Sequence, residues 1–364
     1  MIRTRRQSIN NQKLNEQQSE QKKTCRPDQQ SEFSFQLIKE IDLKLETTTY
    51  TISIKQNNKI IVASEGCNIK IFQLSNLALK QIQIFMNNEY FVTTSCFLKK
   101  KPLLITGSED ETITIWPSNL FSQNKFLIKL KGHQNHIRSI IAHPTDQLII
   151  SGGADYCIRF WSTQKNFKCI QVIDEQRIIY CLSINQQGNQ LISCGEDNYI
   201  FVRTGSENQR WLLKQRINAN RIGYRLCFLS TNSFVFQPNF RMQGKNTLYI
   251  YSLDCFDKYI IQEQVAVSGG DQYCTFFFPS KFIPLKQILI NKNGQTINII
   301  QVSIQEGNKN LLQNQCWKFT LKQSIEYGKG TDGNIFGTVS DDGEFLISWD
   351  DESKSIQVRQ YLAN

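Results

Sequence analysis

The sequence predicts an all-β fold made of short strands that recur in groups. Residues 137–142, 148–151 and 157–161 are three short apolar runs that alternate or are β-branched, and turn residues separate them. Runs of this length and pattern are typical of strands. Similar groups recur, and their third members end at intervals of 42 to 56 residues, near Phe72, Trp116, Trp161, Arg203, Tyr251, Val302 and Val358. This recurrence predicts one supersecondary unit repeated seven times.

The most complete unit spans residues 130–162. Gly132-His133 opens it, Ser151 lies on its middle strand, Asp155 in its second turn, and Trp161 closes its third strand. These residues resemble one repeat of the WD-repeat family, whose members fold as β-propellers. The resemblance implies a buried hydrogen-bonded chain of His133, Ser151, Asp155 and Trp161. A buried carboxylate needs hydrogen-bond donors, which gives the histidine and the turn amides a physical role.

The other units match this pattern less completely. In the second unit Asp110 and Trp116 have the same spacing as Asp155 and Trp161, and the fourth has Arg203 where tryptophan is expected. Beyond residue 205 the signature fades and only strand and turn patterns remain. The prediction is therefore a seven-bladed propeller over residues 31–364.

The two ends of the repeat region complement each other. Residues 33–43 read as an outer strand with no blade in front of it, and the last unit lacks a fourth strand. Pairing these segments would close the ring and remove both free sheet edges. We therefore predict that residues 33–43 form the outer strand of the last blade.

Composition restricts the class of protein further. Residues 1–30 hold seven Lys/Arg and three Asp/Glu with almost no apolar residues, which predicts a disordered basic, Gln-rich tail. Eleven cysteines show no C-x-x-C spacing, which favours buried thiols in a reducing compartment. No apolar run has the length of a membrane span, and the N-terminus has no apolar leader. These features predict a soluble, cytoplasmic protein, with nuclear or cytoskeletal association left open.

No motif for chemistry accompanies the repeats. The sequence contains only three histidines, and it has neither a phosphate-binding loop nor a zinc-protease or nucleophile-elbow motif. The paired acids Asp341-Asp342 and Asp350-Asp351 are interpreted as solvated turns. We therefore predict a protein that is not an enzyme, with no metal, no cofactor and no small-molecule substrate.

The resemblance implies a docking platform that binds other proteins, as a subunit of a larger assembly. In the family, partners bind where inner strands begin and at the turns between the second and third strands of a blade. By register, these positions are Phe91, Thr93, Glu109, His136, Arg138, Ile178, Tyr180 and Glu196. The alternative is an RNA-associated subunit that uses the tail and the basic region 203–225.

Overall fold

In the computed structural model, the described part of the chain comprises residues 32–39, 41, 43–86, 90–119, 125–239, 246–270, 274, 277–305, 316–328 and 333–363. The predicted tail, residues 1–30, lies outside these ranges. Residues 34–362 form one compact unit, and a second unit takes in residues 1–33 and 363–364. Throughout the described ranges the regular elements are strands, and no helix there is long and apolar enough to cross a membrane.

The strands form seven antiparallel sheets, which we number as blades 1 to 7. Blade 1 contains β3 to β6, at Ile52–Ile54, Ile60–Glu65, Asn68–Ser75 and Ala78–Met86. Blade 2 contains β7 to β10, at Val92–Phe97, Leu103–Ser108, Ile113–Pro117 and Ile128–Leu130. Blade 3 contains β11 to β14, at Ile137–Ala142, Leu148–Gly153, Cys157–Ser162 and Lys168–Asp174. Blade 4 contains β15 to β18, at Ile179–Ile184, Gln190–Gly195, Tyr199–Thr204 and Leu212–Asn218.

The same order continues to the end of the chain. Blade 5 contains β19 to β22, at Gly223–Phe228, Ser233–Pro238, Thr247–Leu253 and Tyr259–Ala266. Blade 6 contains β23 to β26, at Lys281–Ile283, Ile288–Asn293, Thr296–Gln305 and Cys316–Glu326. Blade 7 contains β27 to β29, at Ile335–Val339, Phe345–Asp350 and Ser355–Ala363, together with β1 (Phe33–Leu37) and β2 (Leu43–Lys44). The first strand of each blade lies innermost, and these strands line a central channel.

The N-terminal segment closes the ring, as predicted. Both β1 and β2 pair with β29, the last strand of the chain. Ile38 donates a backbone hydrogen bond to Val358 at 2.9 Å, and Leu45 donates one to Lys354 at 2.8 Å. The segment also buries Ile38, Ile41 and Leu45 in one cluster with residues of blades 1 and 7. The fold is therefore a seven-bladed propeller whose last blade is completed by the first strands.

Glutamines on outer strands join neighbouring blades. The Gln171 side chain exchanges two hydrogen bonds with the backbone of Trp211, both at 2.9 Å. Gln215 makes the same exchange with Tyr259, and Gln323 with Phe35. Phe35 belongs to β1, so the N-terminal strand is joined to blade 6 by the same exchange that joins the outer strand of blade 4 to blade 3 and that of blade 5 to blade 4.

Register corrects two predicted positions. Trp161 lies opposite Ile149, the second residue of its middle strand. In blade 6 the residue in that position is Ile300, which faces Leu289, and in blade 7 it is Arg359, which faces Leu346. The strand ends predicted near Val302 and Val358 thus lie two residues after and one residue before the positions that match Trp161, because strand alternation marks the apolar residues but does not fix which of them faces a given partner.

Candidate functional site

The structure brings the four residues of the complete repeat together in blade 3. His133 Nδ1 lies 2.9 Å from Asp155 Oδ1, and its Nε2 lies 2.7 Å from the Ser151 hydroxyl oxygen. Trp161 Nε1 donates to the same Ser151 oxygen at 2.9 Å. Burial alone would raise the pKa of Asp155, but the hydrogen bonds from His133 and two backbone amides lower it below its usual value. This chain fixes the loop that leads into β11.

Blade 4 places a different set of residues at the same positions. Arg203 replaces the tryptophan, and its Nη1 lies 2.6 Å from Glu175 Oε1. Glu175 occupies the loop position of His133 and accepts a 3.3 Å hydrogen bond from Ser193. Burial raises the pKa of Glu175, although Arg203 acts in the opposite direction. A guanidinium paired with a carboxylate thus replaces the histidine and the indole.

In blades 2 to 5, a β-bulge lies at the second residue of the inner strand and orients its side chain. The register shifts at Thr93, Arg138, Tyr180 and Tyr224. A bulged residue leaves the ladder, and its side chain is re-aimed. These positions lie at the end of the ring where the inner strands begin, which we call the rim face.

Three of the predicted rim residues form a charged cluster across blades 2 and 3. Glu109 Oε1 lies 3.6 Å from His136 Nδ1 and 3.9 Å from Arg138 Nη1. All three are half-buried. Phe91, the residue before β7, is 37% exposed beside them. The cluster therefore offers an apolar ring together with charges of both signs to solvent.

Thr93 does not belong to this surface. Its side chain is buried, and its hydroxyl donates across the blade junction to the carbonyl of Ile137. The prediction that Thr93 contacts a partner was wrong, because this small bulged residue turns toward the neighbouring blade. It links blade 2 to blade 3 instead.

The three predicted rim residues of blade 4 lie next to one another. The amide of Glu196 donates to the carbonyl of Ile178 at 3.0 Å, and the Glu196 side chain is exposed. Tyr180 packs edge-on against Tyr224 of blade 5, with ring centroids 5.1 Å apart. Ile178 and Tyr180 are half-buried. The rim surface thus extends from blade 2 to blade 4.

A feature that the sequence did not reveal lies over the channel at the rim face. Between β22 and β23 the described residues 267–270, 274 and 277–280 form a segment that we call the cap. Phe277 of the cap lies 5.0 Å from Tyr50 and 6.1 Å from Phe336, centroid to centroid, and Arg138 lies over its ring at 5.8 Å. Residues from blades 1, 3 and 7 therefore meet the cap at this end of the channel. The only sign of this segment in the sequence was the long stretch of chain between the fifth and sixth units.

Two buried basic side chains hold the cap. Arg225 donates from Nε to the carbonyl of Phe278 at 2.7 Å, and its Nη1 lies 3.2 Å from Cys274 Sγ. Lys292 Nζ donates to the carbonyl of Gly333 at 2.7 Å and lies 3.8 Å from the same sulfur. Burial lowers the pKa of Lys292 to about 7. Burial alone would raise the pKa of Cys274, but the charges of Arg225 and Lys292 lower it.

The channel itself encloses about 460 Å³. Its wall runs from Thr51, Arg138 and Phe277 near the rim face to Gln56, Lys99 and Gln186 in the turns at the opposite face. Among the residues that the structure describes, no group of three or more His, Cys, Asp or Glu side chains could hold a metal ion.

The basic region 203–225 is less accessible than its sequence indicated. Arg203 and Arg225 are 5% and 1% exposed, because one is paired with Glu175 and the other holds the cap. Lys214 is paired with Asp257 at 2.8 Å. Arg216 remains exposed, with its guanidinium 3.6 Å from the centroid of the Tyr199 ring. In the alternative that uses region 203–225 for RNA, Arg203 and Arg225 are therefore not accessible for contact.

Comparison with known proteins agrees with this architecture. The family model described as WD domain, G-beta repeat matches residues 79–117, 124–162 and 167–203. The chain is 31% identical over 97 residues to pre-mRNA-processing factor 19 of Bos taurus, a match that covers 26% of this chain and 18% of that protein. It is 33% identical over 79 residues to nuclear distribution protein nudF 1 of Talaromyces marneffei, covering 21% of this chain and 16% of the relative. The chain thus spans less than a fifth of the length of these curated relatives. Three matched repeats, within a ring of seven antiparallel blades, make residues 79–203 similar to the repeats of WD-repeat proteins.

Proposed function

We propose that this chain is a non-enzymatic platform that docks other proteins through the rim face of blades 2 to 4, as one subunit of a larger assembly. The observation that carries the proposal is the exposed Phe91 ring beside the cluster of Glu109, His136 and Arg138. Aromatic and arginine side chains are the usual anchors of protein interfaces. The docking surface comprises Phe91, Glu109, His136, Arg138, Ile178, Tyr180 and Glu196.

The frame beneath this surface supports the proposal. The buried chain from His133 to Trp161 and the pair of Arg203 and Glu175 fix the loops that precede the inner strands of blades 3 and 4. Binding groups that are already ordered lose little conformational entropy when a partner docks. Tyr156, in the second turn of blade 3, adds a ring that is 44% exposed.

Affinity purification of the tagged chain from its native cells tests the proposal. We expect the double variant Phe91→Ala/Glu196→Arg to lose proteins that co-purify with the wild type while it melts at the same temperature, because both side chains are exposed. Phe256→Ala is the matched control, since Phe256 is 79% exposed in a turn at the opposite face. Unchanged partners in the rim variant, or the same loss in the Phe256 variant, would place docking elsewhere.

RNA association is the second candidate, and Arg216 stacked on Tyr199 is the observation that favours it. Titration of RNA binding with salt separates the two, because phosphate contacts give a steep log–log dependence on salt concentration. If RNA affinity depends only weakly on salt concentration, and Arg216→Ala does not change that dependence, the RNA proposal is wrong. A cytoplasmic location remains a prediction, and imaging of the tagged chain tests it.

A further inference from the structure

Two buried cysteines face each other on blade 4. Cys181 on β15 and Cys194 on β16 are direct partners in the antiparallel ladder. They are 6% and 3% exposed, and both are free thiols. Directly opposite residues of antiparallel strands have Cα atoms roughly 4.5–5.5 Å apart, which lies within the range that a disulfide spans.

Both sulfurs point toward blade 5. The amide of Leu226 donates to Cys181 Sγ at 3.4 Å, and the Cys194 thiol donates to the carbonyl of Gly223 at 3.3 Å. The two side chains therefore lie on the same side of the sheet, as a bridge requires. The adjacent Cys194 thiol, the amide of Leu226 and the charge of Arg225 lower the pKa of Cys181, whereas burial raises the pKa of Cys194. Cys181 is thus the more acidic thiol of the pair.

The central channel gives a small reagent access to one cysteine of this pair. Cys181 lines the central channel, whose wall continues to the turns at the opposite face. Cys227 lines the same channel, but burial raises its pKa to about 12, so its thiol stays protonated. Of these two channel thiols, Cys181 is the one that has both contacts that lower its pKa and a second thiol directly opposite.

We propose that Cys181 and Cys194 form a dithiol site that a hydroperoxide oxidises to a cross-strand disulfide. The Cys181 thiolate attacks one peroxide oxygen, the O–O bond breaks, and Cys181 becomes a sulfenic acid as hydroxide or alkoxide leaves. The Cys194 sulfur then attacks the Cys181 sulfur, the S–O bond breaks, and water leaves with the Cys194 proton. Two electrons pass from the two thiols to the peroxide, which is reduced to water or to water and an alcohol.

The oxidation would change the junction between blades 4 and 5. A disulfide removes the Cys194 thiol proton, so the hydrogen bond to the carbonyl of Gly223 is lost. The bond formed instead joins two strands that are already paired within blade 4. The expected result is a blade 4 with a covalent cross-link and a weaker contact with blade 5.

Peptide mapping of the full-length protein tests the site. The protein is treated with hydrogen peroxide, quenched, denatured and alkylated with iodoacetamide. We expect a disulfide between Cys181 and Cys194 within the tryptic peptide 178–203, with the loss of two alkylated thiols. In Cys194→Ser the sulfenic acid has no resolving thiol, so dimedone should label Cys181.

Cys255→Ser is the matched control, because Cys255 is exposed in a turn of blade 5 and should be irrelevant to the link. The link should form unchanged in this variant. If wild-type Cys181 and Cys194 stay fully alkylated after peroxide has oxidised Cys255, the proposal is wrong. A link from Cys181 to another cysteine, or dimedone labelling of Cys194 in Cys181→Ser, would also overturn it.

Discussion

Truncation of Leu45 tests whether the N-terminal segment closes and stabilises the ring. Leu45 is fully buried in the cluster that joins blades 1 and 7, which includes Ile356 and Trp349. Replacing a buried leucine by alanine loses the transfer free energy of the removed atoms and leaves a cavity, which together cost about 2–5 kcal/mol. Because no part of Leu45 reaches solvent, we expect Leu45→Ala to lower the free energy of unfolding by about 3 kcal/mol or more.

Urea unfolding followed by tryptophan fluorescence measures this loss. Leu37→Ala is the control, because Leu37 lies in the same N-terminal segment and is 44% exposed, so its loss should stay within about 0.5 kcal/mol. A chain that starts at Thr47 should lose more stability than either variant and should self-associate, since β29 then has an open edge. If Leu45→Ala and Leu37→Ala unfold at the same urea concentration, or the shortened chain melts like the intact one, the N-terminal segment does not stabilise the ring.

Three further changes test the buried polar groups. Trp161→Ala should lower the free energy of unfolding by about 3–5 kcal/mol in the same urea assay, and an unchanged midpoint would contradict its burial. Glu175→Gln should lower the free energy of unfolding by about 3–5 kcal/mol, because Arg203 then stays buried without a carboxylate. The double variant Glu175→Leu/Arg203→Met should recover most of this loss, because it buries no charge. Equal losses in the single and the double variant would argue against a charge effect. The pKa of Lys292 is lowered from 10.5 to about 7, so above pH 7 the folded side chain is neutral while the unfolded one is still charged. Unfolding then takes up a proton, and stability should rise with pH from 7 to about 9 by at most about 1.4 kcal/mol per pH unit. Lys292→Met should flatten this rise, and an identical pH profile in the variant would show that Lys292 does not cause it.

The strands of blades 1 to 4 could be predicted from the sequence because their turns carry recognisable residues. Asp110 and Asp155 each lie in a turn six residues before a tryptophan, and the spacing fixes the hairpin between them. The role of the N-terminal segment followed from counting outer strands. In blades 6 and 7 no tryptophan marks the third strand, so the ends predicted near Val302 and Val358 miss the matching residues, Ile300 and Arg359, by two residues and by one.

Two features of the rim face could not be predicted from strand alternation. A bulge breaks the alternation at Thr93 and Arg138, and only the packing of the next blade decides that threonine turns inward. The cap lies between β22 and β23 and contains no repeat signal. Its position depends on Arg225 and Lys292, whose charges look like surface residues in a sequence but are buried in the fold.

A buried hydroxyl recurs at one position of the middle strand in three blades, while its partners differ from blade to blade. The middle strands of blades 3, 4 and 7 carry Ser151, Ser193 and Ser348 at the same register position, and each serine is buried. In blade 7 the Ser348 hydroxyl is 2.6 Å from the hydroxyl of Tyr327 and accepts from Arg359 at 3.3 Å.

A buried hydroxyl must be paired, but several partners satisfy it. Histidine with tryptophan does so in blade 3, glutamate with arginine in blade 4, and tyrosine with arginine in blade 7. Sequence comparison depends on residue identity, and the family match ends at residue 203. Blade 7 therefore keeps a paired hydroxyl at this position with different partners, whereas blades 5 and 6 carry Phe236 and Asn291 there and keep the four-stranded blade without it.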